Sequence, residues 1–200
     1  MTAQIATKSA RRDGLLDAAA ALVSSGDIDA VSMEAVAEQA GVSRPLVYKH
    51  FANRNELLEA LYAREAAALY DEIGGEVSKA TTLEEMFRAL VRGSLAAQAS
   101  RGATFAALRA AGGRTDARRS EQRARDRTTL QWFVTEAVRQ YRLTETQARA
   151  AVSILLGAID STLNVFRIRP TREHAALLED TYVALVVAGL EGLTMTDRRG

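Results

Sequence analysis

Apolar residues recur every three or four positions along most of the chain, which is the period of an α-helix that packs on one side. The first such helix is expected from about Ser9, with apolar side chains at positions 15, 16, 19, 22 and 23. No long stretch alternates apolar and polar residues in the way that a half-buried strand does. We therefore predict an all-α fold of about nine helices, four joined by short loops at the N-terminus and five in the larger remainder.

Two of the predicted helices are short and follow each other closely. One runs from Ser32, as its N-cap, to about Gln39, and the next runs from about Ser43 to Phe51. Between them, Gly41 can adopt a positive φ without steric cost and so permits a tight turn. Two short helices joined in this way are typical of a helix-turn-helix, whose second helix enters the DNA major groove. The alternative interpretation is an αα-hairpin within a helical core.

The second of these short helices has two distinct sides. Val47 and Phe51 lie four residues apart and form a stripe that we expect to be buried. The other side chains are left to face outward or sideways, and they are Arg44, Pro45, Leu46, Tyr48, Lys49 and His50. Exposed proline, leucine and tyrosine beside basic residues are costly on a surface unless a partner binds there.

Pro45 is compatible with this helix only near its start. Proline is tolerated in the first turn because the first N–H groups of a helix have no intrahelical partner. Either Ser43 is the N-cap and Pro45 the second helical residue, or Arg44 is the N-cap and Pro45 the first. We favour Ser43 because Val42 and Val47 then have the spacing of a hydrophobic staple.

Composition narrows the classes of function. The chain has no cysteine, two histidines and a net charge of +1. It therefore holds no disulfide or thiolate metal site, and it contains neither a glycine-rich phosphate loop nor an HExxH motif. We predict no catalytic residue, no metal and no cofactor. The N-terminus lacks the apolar segment of a signal peptide, and the longest apolar run is far short of a membrane span. We expect a cytoplasmic protein without membrane contact.

The segment around the two short helices resembles the TetR family of transcriptional regulators. The resemblance covers about residues 10 to 58 and extends to the order, spacing and chain position of the matching residues. These are Ser32, Val36-Ala37, Ala40-Gly41-Val42-Ser43, Val47-Tyr48, His50-Phe51 and the run NRNELL. We expect a flexible tail over residues 1–8, a helix-turn-helix DNA-binding domain over 9–55, and an effector-binding and dimerisation domain over 56–200.

The resemblance implies which residues contact DNA. The set is Ser32, Ser43, Arg44, Pro45, Leu46, Tyr48, Lys49, His50 and Arg54. Ser32 and Arg54, near the starts of two helices, would meet phosphates. Arg44 is the first choice as base reader, because arginine pairs bidentately with guanine. Arg11 and Arg12 would touch the backbone or the minor groove.

The recognition helix departs from the family pattern at its start. The family often has glycine where this chain has Pro45, and a small residue where it has Leu46. Pro45 removes one N–H donor, and Leu46 can pack on a thymine methyl group but cannot donate to a base edge. Tyr48, Lys49 and His50 would contact the DNA backbone, with Lys49 also within reach of a base.

The larger remainder carries no diagnostic motif. Its last two helices have broad apolar faces, which by resemblance form a homodimer interface, with an intramolecular core as the alternative. Members of the family usually bind a small effector in this part of the chain. The candidates for its pocket are Phe87, Phe105, Arg109, Trp132, Phe133, Asp160, Asn164 and Phe166. Asp160 and Asn164 lie four residues apart on an otherwise apolar helix, which suits a pocket, a dimer interface or a helix surface equally.

The combined expectation is a homodimeric, sequence-specific DNA-binding regulator. It would be a repressor that a small-molecule effector releases from a palindromic operator in double-stranded DNA. Eight arginines between positions 101 and 127 indicate a solvated face or an anionic effector, and of these Arg109 is placed nearest the pocket. The competing class is a helical small-molecule-binding protein or enzyme without sequence-specific DNA binding.

Overall fold

The structure, a computed structural model, describes the backbone of residues 2–24, 28–112 and 116–196 and the side chains of 9–23, 28–108 and 126–194. These residues form eight helices and no strand. The helices are α1 (Thr2–Ser24), α2 (Met33–Gln39), α3 (Arg44–His50), α4 (Arg54–Val77), α5 (Leu83–Gly112), α6 (Asp116–Tyr141), α7 (Glu145–Ile168) and α8 (Arg172–Thr196). The all-α prediction is confirmed.

Two helix bounds differ from the sequence prediction. The apolar pattern predicts one helix over about 83–95 and a second over about 102–111, but the structure has one continuous helix there, α5. The described residues therefore form eight helices rather than the predicted nine. Gly102 does not break α5, because one glycine costs only about 1 kcal/mol relative to alanine and the surrounding segment is rich in alanine. Helix α1 begins at Thr2, within the segment for which we expected a loose tail.

The chain divides into two compact units. Unit 1 comprises Met1–Ala68 and Arg101–Thr115, and unit 2 comprises Leu69–Ser100 and Asp116–Gly200. Helices α4 and α5 thus contribute residues to both units. Unit 1 extends beyond residue 55, the boundary that the sequence suggests, because its core takes residues from later in α4 and from α5.

The core of unit 1 holds the helix-turn-helix together. Its fully buried side chains come from α1 to α5 and include Leu16, Val36, Val47, Phe51, Leu57, Leu58, Leu61 and Leu108. Asn53 caps α4, as its spacing predicts, since its Oδ1 accepts a hydrogen bond from the Glu56 N–H at 2.9 Å. Val36, Ala37 and Val47 are buried, as their spacing predicts. Of the inner face that spacing predicts for the fourth helix, Leu57 and Leu61 are buried, whereas Glu65, Ala66, Leu69 and Ile73 are half-buried.

Unit 2 has a core of its own, formed by helices α5 to α8 and by Val77 at the end of α4. Phe87 and Phe133 meet edge to face at 4.8 Å between ring centroids, and Phe166 is also buried in this core. The Tyr182 hydroxyl donates to the carbonyl oxygen of Leu155 at 2.8 Å and so ties α8 to α7. Burial raises the pKa of Tyr182, which keeps this hydroxyl protonated as a donor.

Helix α7 has an unusual balance of length, composition and burial. By length and composition alone, α7 is long and apolar enough to cross a membrane, although it contains no long uninterrupted apolar run. Only 17% of its most apolar stretch is buried within the chain. A helix whose apolar face is covered by a second protein chain meets the same test. Passing this test is therefore weak evidence of a membrane span.

Candidate nucleic-acid interface

The turn between α2 and α3 is built from local backbone chemistry. Ser32 caps α2, and its hydroxyl oxygen accepts a hydrogen bond from the Ala35 N–H at 3.0 Å. Gly41 has a φ of +64°, the left-handed conformation that glycine adopts at little cost. The Val42 N–H then donates back to the carbonyl oxygen of Ala37 at 2.9 Å, which closes the turn. The predicted roles of Ser32 as N-cap and of Gly41 in the turn are confirmed.

Helix α3 starts as the preferred interpretation predicts. Ser43 is its N-cap, with an extended backbone at φ −75° and ψ 144°, and Pro45 is the second helical residue. The Ser43 hydroxyl makes no capping bond, and its carbonyl oxygen accepts from the Leu46 N–H at 2.9 Å. Pro45 therefore sits where its missing N–H leaves no gap in the helix.

Burial divides α3 into an anchored side and an exposed side. Val47 and Phe51 are completely buried in the core of unit 1. The exposed residues at this helix are Ser43, Arg44, Pro45, Tyr48 and Lys49, and the half-buried ones are Leu46 and His50. An exposed strip of basic and aromatic side chains on a firmly seated helix suits contact with phosphates and base edges.

Arg44 is already engaged within the protein. Its Nη2 forms an ion pair with the Glu34 carboxylate of α2. The same atom lies 3.5 Å from the Tyr48 hydroxyl, and the guanidinium carbon is 5.6 Å from the centroid of the Tyr48 ring. The hydrogen bond to Tyr48 and the charge of Glu34 both raise the pKa of Arg44.

Arg54 joins the start of α4 to the loop before α2. Its Nε donates to the carbonyl oxygen of Val31, and its Nη2 donates to that of Ile28, each at 2.6 Å. Asp29 lies 3.6 Å from the same Nη2. The sequence predicts a phosphate contact for Arg54, whereas these bonds give it an intramolecular role that no spacing rule indicates. The phosphate contact stays a prediction.

Arg12 lies beside the end of α3. Its guanidinium carbon is 4.9 Å from the centroid of the Phe51 ring, a cation–π distance. Arg11 is exposed on the same helix. Helix α1 thus places one arginine beside the residue that ends α3, and the DNA contacts of both arginines stay predictions.

The effector-pocket candidates do not gather into one site. Phe87, Phe133 and Phe166 are packed into the core of unit 2, whereas Phe105 belongs to unit 1 and meets Tyr62 edge to face at 5.6 Å. Helical spacing indicates which side of a helix is apolar, but it does not tell which neighbour that side packs against.

The other candidates lie towards solvent or outside the described side chains. Trp132 is partly exposed, and Asp160 and Asn164 are exposed on α7, where Asn164 Oδ1 accepts from Arg167 Nη1 at 2.7 Å. Arg109 lies outside the residues whose side chains are described, as do the other arginines of the 101–127 run apart from Arg101 and Arg127. Across the described side chains, no three His, Asp or Glu residues come together as a metal site would require.

Comparison with known proteins finds a family match in the N-terminal part of the chain. The model of the bacterial regulatory proteins of the tetR family matches residues 15–61, which include the whole helix-turn-helix. The HTH-type transcriptional repressor KstR from Rhodococcus jostii (strain RHA1) is 46% identical over 55 residues, which are 28% of this chain and 26% of that protein. The helix-turn-helix segment of this chain thus resembles that of the TetR family. The chain matches about a quarter of the length of KstR.

Solved structures extend the similarity beyond the helix-turn-helix to the rest of the fold. A regulator of the TetR/AcrR family from Thermobifida fusca has a TM-score of 0.68 at 20% identity, covering 90% of this chain and 97% of that one. FadR from Bacillus subtilis, solved in complex with stearoyl-CoA, has a TM-score of 0.64 at 17% identity, covering 88% of this chain and 97% of that one. At these identities the comparison establishes the helical fold of both units.

The bonds of Arg54 predict a stability effect that is independent of DNA. Arg54→Lys should lower the free energy of unfolding by about 1–3 kcal/mol, because lysine cannot donate to both carbonyl oxygens in the same fork geometry. Urea unfolding without DNA measures the change. Arg44→Lys is the matched control and should shift stability by less than about 0.5 kcal/mol, since Arg44 is exposed. Equal effects of the two substitutions would contradict the anchoring role of Arg54.

Proposed function

We propose that this protein is a sequence-specific DNA-binding transcriptional regulator that acts as a homodimer. The observation that carries the proposal is the exposed side of α3, where Arg44, Tyr48 and Lys49 project from a helix whose other side is buried. The match of residues 15–61 to the tetR family and the similarity to the repressor KstR support it. We further propose a cytoplasmic repressor that a small-molecule effector releases from its operator.

The proposed contacts on α3 fall into two kinds. Lys49, Tyr48 and His50 would contact phosphates, which position the protein without reading sequence. Arg44 would read a guanine, and Leu46 would pack on a thymine methyl group. Because Pro45 has no N–H, the start of α3 offers fewer backbone donors to DNA. Base recognition therefore depends strongly on the side chain of Arg44.

The proposed dimer interface uses the outer faces of α7 and α8. Large apolar side chains are exposed there, namely Ile154, Val165 and Ile168 on α7 and Leu177 and Leu185 on α8. Gly157, Gly189 and Gly192 lie on the same helices, and a Cβ at any of them would meet no atom within 4 Å. Small residues among exposed aliphatic ones allow a second pair of helices to approach closely. Such a patch is unfavourable in water, and a second copy of the chain would cover it.

The proposed effector response requires two states of the dimer. An effector that binds better to a state whose α3 helices are wrongly spaced for the operator would release the protein. Helices α4 and α5, which contribute residues to both units, are the elements that would transmit the change. The stearoyl-CoA complex of FadR from Bacillus subtilis supports effector binding in this fold, while the chemical class of the effector stays open here.

Selection of bound sequences from a random pool of double-stranded DNA tests the central proposal. We expect an enriched motif with two inverted half-sites about 34–36 Å apart between centres, one for each α3 of the dimer. Absence of any enriched motif at low salt would contradict the proposal. Enzymatic turnover without sequence-specific DNA binding would favour the competing class.

Lys49→Ala should weaken binding to specific and random DNA alike. Each lost phosphate contact reduces the slope of log affinity against log salt concentration by roughly 0.9, so two copies in a dimer should reduce it by roughly 2. Fluorescence anisotropy titrations over a range of salt concentrations measure the slope. Lys79→Ala is the matched control, because Lys79 is exposed in unit 2 and pairs with Glu76. A slope that is the same for Lys49→Ala and Lys79→Ala would exclude Lys49 as a phosphate contact.

Leu185→Arg should convert the dimer to monomers without unfolding the chain. Leu185 is 66% exposed, so arginine is tolerated in the monomer but would bury two charges in the proposed interface. We expect the dimer dissociation constant to rise by a factor on the order of 100, measured by analytical ultracentrifugation with helix content followed by circular dichroism. Val138→Arg, at an exposed position of α6, is the control. A dimer that withstands Leu185→Arg would rule out this face of α8.

A further inference from the structure

Glu34 places a negative charge on the surface that the proposed function assigns to DNA. Its side chain is 51% exposed and that of Arg44 is 57% exposed, so their ion pair lies at the surface. DNA is a dense row of negative charges, and a carboxylate next to it lowers affinity for every sequence alike. An acidic residue in the first turn of α2 does interact favourably with the helix dipole. Glu34 would interact with the helix dipole whether or not it met Arg44. The helix dipole therefore does not account for the ion pair with Arg44.

The geometry of the pair leaves Arg44 able to meet a base. The contacts to Glu34 and Tyr48 both involve Nη2. A guanidinium has five N–H groups in a planar fork, two of them on Nη2, and a bidentate contact to guanine uses two. Glu34 can therefore hold one corner of the guanidinium while the edge that includes Nη1 stays available. The hydrogen bond of Arg44 to Tyr48 and its closest approach to Glu34 both lie at Nη2.

Tyr48 restricts the same side chain from another direction. The Tyr48 ring lies under the guanidinium at 5.6 Å, and its hydroxyl also lies beside Nη2. A free arginine side chain loses substantial rotamer entropy when it binds. Contacts that hold it in place before binding reduce that loss and favour one direction of approach over others. Glu34 from α2 and Tyr48 from α3 thus form a support on two sides of Arg44.

We propose that Glu34 is a specificity-determining residue, which positions Arg44 to read a base rather than to neutralise a phosphate. Glu34 acts through Arg44 and does not itself touch the DNA. Its carboxylate lowers affinity for random DNA and directs the guanidinium towards one base pair in each half-site. The inference rests on the proposed function, in which α3 meets DNA.

The test compares full-length dimers in random-pool selection and in binding to single-base variants of the selected site. Glu34→Ala removes the charge and the acceptor, and Glu34→Gln keeps an acceptor oxygen. Glu38→Ala is the matched control, since Glu38 is an exposed carboxylate on the same helix. Arg44→Ala and the double variant with Glu34→Ala complete a double-mutant cycle.

We expect Glu34→Ala to reduce the preference at the base pair read by Arg44 roughly two- to fivefold, the range measured for exposed ion pairs. Affinity for random DNA should rise at the same time. Glu34→Gln should fall between Glu34→Ala and the unmodified protein. Glu38→Ala should raise affinity for random DNA but keep the preference. In the Arg44→Ala background, Glu34→Ala should change the preference no further.

Three results would overturn the inference in different ways. If Glu34→Ala behaves as Glu38→Ala does, Glu34 acts only through its charge. If Arg44→Ala leaves the preference at every base pair unchanged, Arg44 is not a reader and Glu34 has nothing to position, although the proposed function stands. If the unmodified dimer selects no motif at low salt, the proposed function fails and the inference falls with it.

Discussion

The burial of Val47 and Phe51 is the contact on which the proposed DNA-reading surface depends. Helix α3 has seven residues, too few for an isolated helix to be stable in water. It persists because these two side chains are completely enclosed in the core of unit 1. Their four-residue spacing also fixes the rotation of α3 about its axis. The same anchor therefore decides which residues point outward, and it places Arg44, Tyr48 and Lys49 together on the exposed side.

Polar contacts complete what the apolar anchor begins. Arg54 holds the loop before α2 through two carbonyl oxygens, so the start of α2 is tied to the start of α4. Ser32 then caps α2, and Glu34 in its first turn reaches Arg44 on α3. A displacement of this loop would therefore shift α2, and with it the carboxylate that pairs with Arg44. The position of the Arg44 side chain thus depends on α2 and α4 as well as on α3.

The features that could be predicted from sequence are local ones. Ser43 as N-cap, Gly41 in the turn and the burial of Val47 follow from spacing and turn chemistry within a few residues. Contacts between distant residues could not be predicted: Arg54 meets carbonyl groups more than twenty positions earlier, and Glu34 meets an arginine on the next helix. The division of the effector candidates between the two units could not be predicted for the same reason. Phe105 lies in unit 1 because α5 continues through Gly102, and no rule of periodicity indicates which core receives its far end.

The low net charge of the chain makes the contacts that position Arg44 more important than they would be in a strongly basic protein. With a net charge of +1, the chain has little general attraction for DNA, and acidic residues such as Glu34 and Glu38 lie on α2 itself. Weak general attraction means that affinity for the operator must come largely from base contacts and DNA shape. Pro45 has no N–H to contribute, and Lys49 is a point charge without a bidentate fork. Arg44 is the one residue of α3 with that fork, so in the proposed function the discrimination between operators rests chiefly on how its guanidinium is held.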